Sequence, residues 1–206
     1  AYLERTVKHL IALTGGKPEV LACDLHPHFN STLLAKRHAE MFKCQLVQVQ
    51  HHHAHALSLM AEHGLEELVA AVCDGFGYGL DGKAWGGEIL YCSLSDWRRL
   101  AHLEEQPMIG GDLAALYPLR MSFGMLAKAG FERAEEWLKS KASLLPYGEQ
   151  ETEIVAKMFR QGRFTATTST GRVLDATAAI LGICHRRTYD CLLYTSPSPR
   201  DRQKYR

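Results

Sequence analysis

The spacing of apolar residues along the chain predicts alternating helices and strands. Near the start, Leu3, Val7 and Leu10 fall on one face of a helix. Residues 18–24 form a short apolar run, which is typical of a buried strand. Predicted helices cover residues 2–13, 33–42, 51–63, 113–129, 131–141, 149–161 and 171–181, and predicted strands cover 18–24, 45–50, 68–73, 84–92 and 97–104. This order indicates an α/β fold with a mixed sheet.

Turn and capping residues mark where these elements end. Asp81-Gly82 is the typical dipeptide of a tight hairpin, so residues 84–92 are predicted to pair back against 68–73. We expect a glycine-rich bend over residues 75–82, which includes this dipeptide. The remaining predicted boundaries are an N-cap at Asn30, Ser31 or Thr32, a C-cap at Gly64, a kink or helix boundary at Pro118, and a polar loop over residues 165–170.

The composition is that of an ordinary globular domain, with 206 residues of which 46% are hydrophobic and 23% charged. The net charge of +1 gives no electrostatic support for binding nucleic acid or a membrane surface. No apolar run approaches the ~20 residues that span a bilayer. The first residues lack an initiator Met and a signal peptide's apolar centre, so we expect the chain to begin within a longer protein. The six cysteines form no CxxC pair, which is typical of reduced thiols in a cytoplasmic protein.

Four histidines within five positions form the first candidate for chemistry. His51 and His55 are four residues apart, so both imidazoles leave the same face of the predicted helix, as two metal ligands on one helix do. Asp74 ends the next strand, and a mixed nitrogen and oxygen site would suit Fe or Zn. The alternative is a pair that is solvated or satisfied locally, and the residues alone leave both open. His52 and His53 are expected to be exposed or to support the site from outside it.

Glycine-rich segments form the second candidate, a site for a phosphorylated ligand. Backbone amides of such segments can cradle phosphate oxygens, and a glycine inside a strand often marks close approach to a ligand. The alternatives are plain turns, a bulge or a helix start. The candidate residues are Gly75, Gly77 and Gly79 after the strand, Gly86 and Gly87 within the next strand, and Gly110, Gly111 and Asp112 before a helix.

Several charged residues elsewhere have both a functional and a structural interpretation. Arg120 and Arg172 can clamp a phosphate through two donors, although an arginine more often lies at the surface. Asp175 can accept a hydrogen bond from a ribose hydroxyl or serve only in packing. Asp24 and His26 end the first strand, and we expect them to support the site or to face the substrate.

Five segments together resemble the Kae1-like domain of the HypF family of hydrogenase maturation carbamoyltransferases. They are CDLHPHFNS, VQHHHAHALSLMAEH, DGFGYGLDGKAWGGE, GGDLAALYPLR and STGRVLDATAAILG, and they occur in that domain's order over about residues 1–190. The resemblance implies an actin-like ATPase fold of two RNase H-like lobes with a nucleotide between them. The chain would carry one lobe and a helical part of the start of the second, and would therefore be incomplete.

The resemblance also implies an activity and its cofactors. Carbamoyl phosphate and ATP give carbamoyl-adenylate, and the carbamoyl group is transferred to the C-terminal cysteine of a hydrogenase maturation partner protein. His51, His55 and Asp74 match the catalytic metal ligands, with Fe or Zn as the metal, and a fourth ligand is expected outside this chain. The phosphate of the AMP leaving group would lie on the turn from Gly75 to Gly79.

The resemblance ends near residue 190, which divides the chain into a partial Kae1-like carbamoyltransferase domain and a tail. The tail, residues 191–206, reads CLLYTSPSPRDRQKYR and resembles translated sequencing-adapter read-through, with a natural disordered tail as the alternative. We expect the chain alone to be catalytically inactive. Alternative functions are O-carbamoyl transfer, tRNA threonylcarbamoyl transfer, or a non-catalytic module that binds a metal or nucleotide. The HHHAH and WGGE motifs and the balanced charge argue against the tRNA enzyme.

Overall fold

The computed structural model describes residues 2–188, so the predicted tail lies outside the described residues. The helices are α1 (Tyr2–Thr14), α2 (Asn30–Phe42), α3 (His51–His63), α4 (Asp112–Leu116), α5 (Leu119–Lys128), α6 (Ala134–Ser140), α7 (Gly148–Arg160) and α8 (Thr170–Ile180). The strands are β1 (Val20–Asp24), β2 (Gln45–Val49), β3 (Glu67–Tyr78), β4 (Ala84–Ser93), β5 (Trp97–His102), β6 (Gln106–Met108) and β7 (Thr165–Thr167). Within residues 2–188, every helix is too short or too polar to cross a membrane.

The strands form two sheets, and the larger one is mixed. β3, β4, β7 and β6 lie side by side in that order. β5 also pairs with β4 but lies outside this order. The β4–β7 pair is parallel and the other pairs of this sheet are antiparallel. β1 and β2 form a separate parallel pair. The predicted α/β class with a mixed sheet is confirmed, and so is the hairpin of β3 and β4.

The predicted glycine-rich bend over 75–82 is wrong in its first half, because β3 continues to Tyr78. The register with β4 shifts between Cys73 and Gly77, so a β-bulge lies at residues 74–76. Regular pairing resumes where Gly77 faces Trp85. The tight turn itself is short, and Gly82 closes it with a φ of 75° and an amide that donates to the carbonyl of Gly79.

Two apolar cores stabilise the chain. The first lies between α3 and the β3–β4 hairpin and contains Ala56, Met60, Val72, Leu90 and Cys92. The second joins α5, α6, α7 and α8, and its buried members include Leu119, Phe123, Leu138, Val155 and Ala179. The small residues of α8 allow the close packing that its sequence predicts.

The side-chain N-cap predicted for α2 is wrong. Phe29 occupies that position, and its side chain makes no capping hydrogen bond. The residues predicted as caps, Asn30, Ser31 and Thr32, lie inside the helix. The hydroxyl of Thr32 donates instead to the carbonyl of Asp24 at 3.3 Å, which ties α2 to the end of β1.

The other predicted boundaries have mixed outcomes. Gly64 is the C-cap of α3 with a left-handed φ of 64°, as predicted. Pro118 separates α4 from α5, which confirms it as a boundary. The predicted loop over residues 165–170 is wrong at its start, because Thr165–Thr167 forms β7 through pairing with strands far away in sequence.

Candidate metal centre and cleft

Two histidines of α3 and one aspartate of the bulge converge at one point. The Nε2 atoms of His51 and His55 are 3.3 Å apart, and Asp74 Oδ2 lies 3.0 Å from His51 Nε2. The three donor atoms lie within 4.8 Å of one another. The spacing of His51 and His55 on one helical face, and the position of Asp74 in β3, therefore bring the predicted ligands together.

Asp24 holds the imidazole of His51 in one orientation. Its Oδ2 lies 2.7 Å from His51 Nδ1. A carboxylate only accepts, so Nδ1 carries a proton, and Nε2 is the ring nitrogen that faces His55 and Asp74. The parallel β1–β2 pair places Asp24 opposite Val49, just before α3 begins. A carboxylate behind a histidine ligand is a common support in metal sites, which agrees with the supporting role expected for Asp24.

Gln50 sets the start of α3 and connects it to the end of β3. Its side-chain oxygen accepts from the amide of His53 at 2.9 Å as the N-cap. Its amide nitrogen donates to the carbonyl of Tyr78 at 3.3 Å and lies 3.1 Å from His52 Nδ1. His52 and His53 are buried, so the first of the two alternatives expected for them, an exposed position, is wrong. The opposite side of α3 packs on the β3–β4 hairpin, and there His53 Nε2 donates to the carbonyl of Ser93 at 3.1 Å.

The three donors fit a divalent transition metal. Asp74 Oδ2 is buried and accepts no hydrogen bond of normal geometry among the described residues, although it lies at ion-pair distance from His51. The other oxygen, Oδ1, accepts from the amide of Gly75 at 2.6 Å and so fixes the carboxylate. Two imidazole nitrogens and one carboxylate oxygen are a ligand set of zinc and iron sites.

The electrostatics of this cluster predict how stability depends on pH. The neighbouring Asp74 raises the pKa of His51 to about 9, against the opposing effect of burial and with further help from Asp24. The folded chain thus holds a proton that the unfolded chain releases near its ordinary pKa of about 6.5. This stabilisation is complete below about pH 6.5 and is lost as the pH rises through about 9.

We therefore expect the metal-free chain to lose stability between about pH 6.5 and 9, and a His51→Asn variant to lose less. Urea denaturation in the presence of a chelator, at a series of pH values, measures the free energy of unfolding of both proteins. Parallel curves for the two would contradict the assignment of this proton to His51.

A cleft of about 540 Å³ opens beside the three donors. Besides these donors, it is lined by the predicted residues Gly75, Gly111 and Asp112 and by Arg172. Five further residues line it that the sequence did not indicate, namely Phe76, Met108, Ala115, Thr167 and Arg187. Of these, Thr167 and Arg187 have polar side chains, and the other three residues are apolar.

The other glycines that the sequence predicted to line a ligand site lie in close contact with protein atoms. A Cβ at Gly77 would lie 2.3 Å from His52 Cε1, and one at Gly79 would lie 2.2 Å from Trp85 Nε1. The remaining contacts of this kind are Gly86 with the Asp74 carbonyl, Gly87 with the Thr168 carbonyl, and Gly110, at a φ of 96°, with the guanidinium of Arg120. The close approach of these glycines is to protein groups in each case.

Three of the charged candidates take part in two buried ion pairs. Arg120 Nη2 lies 2.7 Å from Glu151 Oε1 within the second core, so its predicted surface or phosphate position is replaced by a structural contact. Arg172 Nη2 lies 3.1 Å from Asp175 Oδ2, one turn along α8. Arg172 and Asp175 are each 5% exposed. Arg172 also lines the cleft.

Comparison with known families assigns the chain. Residues 1–62 match the HypF Kae1-like domain, and residues 70–192 match the second subdomain of the carbamoyltransferase Kae1-like domain. The chain belongs to the HypF carbamoyltransferase family. The resemblance seen in the five sequence segments is thus confirmed.

Relatives with a similar sequence or structure support this assignment. The chain is 43% identical to the probable carbamoyltransferase HypF of Methanocaldococcus jannaschii over 192 residues, which are 92% of this chain and 25% of that protein. It is 42% identical to the carbamoyltransferase HypF homolog of Cupriavidus necator, covering 90% of this chain and 46% of the relative. The chain spans about a quarter of the first relative and less than half of the second.

Two crystal structures share the fold. The HypF of T. kodakarensis superposes with a TM-score of 0.79 at 37% identity, over 92% of this chain and 26% of that one. A full-length HypF in the phosphate- and nucleotide-bound form superposes with a TM-score of 0.75 at 32% identity, over 90% of this chain and 24% of the other. The predicted fold class of a HypF Kae1-like lobe is therefore confirmed.

Proposed function

We propose that this chain supplies the metal-binding wall of a carbamoyl transfer site. The observation that carries the proposal is the convergence of His51, His55 and Asp74 beside a cleft, in a member of a carbamoyltransferase family. The carbamoyl group would come from carbamoyl-adenylate, made from carbamoyl phosphate and ATP. The phosphate- and nucleotide-bound state named for one similar HypF structure supports a nucleotide in the full-length protein.

The metal ligands, Asp24 and Arg172 have separate roles in this proposal. A divalent metal held by His51, His55 and Asp74, with Fe or Zn as candidates, would supply a Lewis acid for the carbamoyl carbonyl. Asp24 keeps the proton of His51 on Nδ1, so that Nε2 stays available as a ligand. Arg172 supplies positive charge to the cleft, where the phosphate of the leaving nucleotide would bind.

Gly75 provides room and not a hydrogen bond to the bound ligand in this proposal. The amide of Gly75 already donates to Asp74 Oδ1, so this residue serves the ligand through its lack of a side chain. Gly111 and Asp112 line the opposite edge. The close-packed Gly77, Gly79, Gly86, Gly87 and Gly110, together with Asp175, shape the walls behind the cleft in this proposal.

The acceptor in this proposal is the C-terminal cysteine of a hydrogenase maturation partner protein. A thiolate is a strong nucleophile near neutral pH, and a thiocarbamate would be its product. We place the reaction in the cytoplasm. Five cysteines of the described residues are free thiols, as expected in a reducing compartment.

The proposal is tested by installing this chain in a complete relative. A chimera would carry residues 1–188 in place of the matching segment of the M. jannaschii protein. We expect it to transfer label from carbamoyl phosphate to the partner's cysteine in the presence of ATP. His51→Ala should remove most of this transfer, whereas His63→Ala, at the exposed far end of α3, should leave it unchanged.

Two results would contradict parts of the proposal. Equal transfer by the His51→Ala and His63→Ala chimeras would exclude the metal-dependent role of the cluster. Robust transfer by the 206-residue chain alone would contradict the expectation that it is inactive without further domains. A chimera that binds metal and nucleotide but transfers nothing would favour a non-catalytic binding module.

A further inference from the structure

The N-terminus of α8 lies directly against the bulge that carries Asp74. Ser169 is the N-cap of α8 and is fully buried. Its hydroxyl accepts from the amide of Arg172 at 3.1 Å. The same hydroxyl contacts two carbonyls of the bulge, at 2.7 Å for Gly75 and 3.1 Å for Asp74. One side chain thus connects two segments about 95 residues apart.

These contacts go beyond what a helix cap needs. An N-cap uses only the acceptor half of a hydroxyl, because its task is to satisfy an amide of the first turn. The proton of Ser169 is left for the bulge, where the ladder to β4 is interrupted between Cys73 and Gly77. Carbonyls that lie outside a ladder and away from water need another donor, and those of Asp74 and Gly75 are partly buried. Ser169 shares its single proton between the carbonyls of Asp74 and Gly75, in the part of the backbone that carries the Asp74 side chain.

The surrounding backbone is shaped to let α8 reach the bulge. A Cβ at Gly86 would lie 2.5 Å from the carbonyl oxygen of Asp74 and 3.0 Å from Ser169 Cα. A Cβ at Gly171 would lie 3.1 Å from Gly75 Cα. A side chain at either glycine would push the start of α8 away from the bulge. Glycine at both positions therefore allows the two segments to lie in contact.

The segment before Ser169 is itself anchored to β4. The hydroxyl of Thr167 donates to the carbonyl of Ala84 at 2.9 Å. The hydroxyl of Thr168 donates to the buried carboxylate of Glu88, which also accepts from Arg99 Nε at 2.6 Å. The contacts of Thr167 and Thr168 therefore fix the position of Ser169 relative to the bulge.

We propose that Ser169 is a positioning residue of the metal centre. Its hydroxyl holds the backbone of Asp74 and Gly75 so that the Asp74 carboxylate faces His51 and His55. This role rests on the metal site of the proposed function. It adds a support for the ligand on β3 that corresponds to the support Asp24 gives to His51.

The test compares Ser169→Ala with Ser122→Ala in the 206-residue chain. Ser122 is also fully buried, and its hydroxyl donates to the carbonyl of Ala176 at 2.8 Å, so both variants lose a buried hydrogen bond to or from α8. Zinc affinity is measured by competition with a chromophoric chelator. We expect about tenfold or greater weakening for Ser169→Ala, within the range of about 10–100-fold for lost ligand supports, and less than about twofold for Ser122→Ala.

Two further arms separate positioning from capping and folding. Ser169→Gly removes the hydroxyl at a position where glycine is a better N-cap than alanine, so it should weaken zinc binding as much as Ser169→Ala does. The ligand-field spectrum of bound cobalt(II) should change in both Ser169 variants and stay unchanged in Ser122→Ala. Circular dichroism checks that each variant is folded, and Ser169→Gly decides the question if Ser169→Ala is not.

The possible failures are distinguishable. Zinc affinity and cobalt spectra of the Ser169 variants that equal those of Ser122→Ala would overturn the positioning role alone. Equal zinc affinity of the wild-type chain and a His51→Ala variant would remove the metal site, and with it the basis of the proposed function.

Discussion

Replacing Asp74 with asparagine is expected to lower the affinity of the chain for zinc by more than about 100-fold. Loss of an outer support alone costs about 10–100-fold in such sites, and Asp74 is one of three direct donors. Asparagine keeps an oxygen for the amide of Gly75, which Asp74 Oδ1 now accepts at 2.6 Å, so the bulge should stay intact. The change removes the negative charge of the buried Oδ2, which faces His51 and His55.

Calorimetric titration near neutral pH measures this loss. Asp96→Asn is the matched control, because Asp96 is an exposed aspartate of the same domain and should bind zinc as the wild type does. Equal affinities of the Asp74→Asn and Asp96→Asn variants would show that the carboxylate of Asp74 is not a ligand.

Arg120→Ala is expected to destabilise the fold by about 3–5 kcal/mol, because it leaves Glu151 buried without its counter-ion. Arg120 Nε and Nη2 both lie 2.7 Å from Glu151 Oε1, and Nη1 donates to the carbonyl of Ile109 at 3.3 Å. Glu151 Oε2 accepts only from the amide of Tyr147, at 3.1 Å, among the described contacts. Truncating Arg120 alone would therefore leave the charge of Glu151 buried without its partner.

Urea denaturation gives the free energy of unfolding for this comparison. The matched control is Arg160→Ala, which removes an exposed partner of Glu135 and should cost no more than about 1 kcal/mol. A double variant, Arg120→Met with Glu151→Leu, should recover most of the loss, since an apolar pair of similar volume needs no counter-ion. A cost for Arg120→Ala as small as that for Arg160→Ala would contradict this account of the pair.

Much of the fold follows from local signals in the sequence. Apolar spacing located α3 and the strands before and after it, and Asp81-Gly82 located the hairpin. The first half of the bend predicted over 75–82 was wrong because glycine was interpreted through its turn preference. Gly77 lies in a strand, where its missing side chain leaves room for the buried ring of His52. That reason involves a residue 25 positions away and cannot be read locally.

In the candidate site, too, local patterns could be predicted, whereas contacts between residues far apart in sequence could not. His51, His55 and Asp74 were predicted because helical spacing and a strand end are local patterns. Arg120 and Arg172 could not be told apart, because their roles depend on distant partners. One pairs with Glu151 in a core, 31 residues along the chain, and the other reaches the cleft. Ser169 escaped prediction for a similar reason, since its contacts to the bulge join two ends of the fold.

X-ray absorption spectroscopy of the zinc-loaded chain tests the central claim most directly. The account predicts two imidazole nitrogens at about 2.0–2.1 Å and carboxylate oxygen at about 2.0–2.2 Å, the distances typical of His51, His55 and Asp74 as ligands. The imidazole signal should disappear in a variant that lacks both histidines. A sulfur shell at about 2.3 Å, as the exposed thiol of the adjacent Cys73 would give, or a shell of oxygen alone would contradict it.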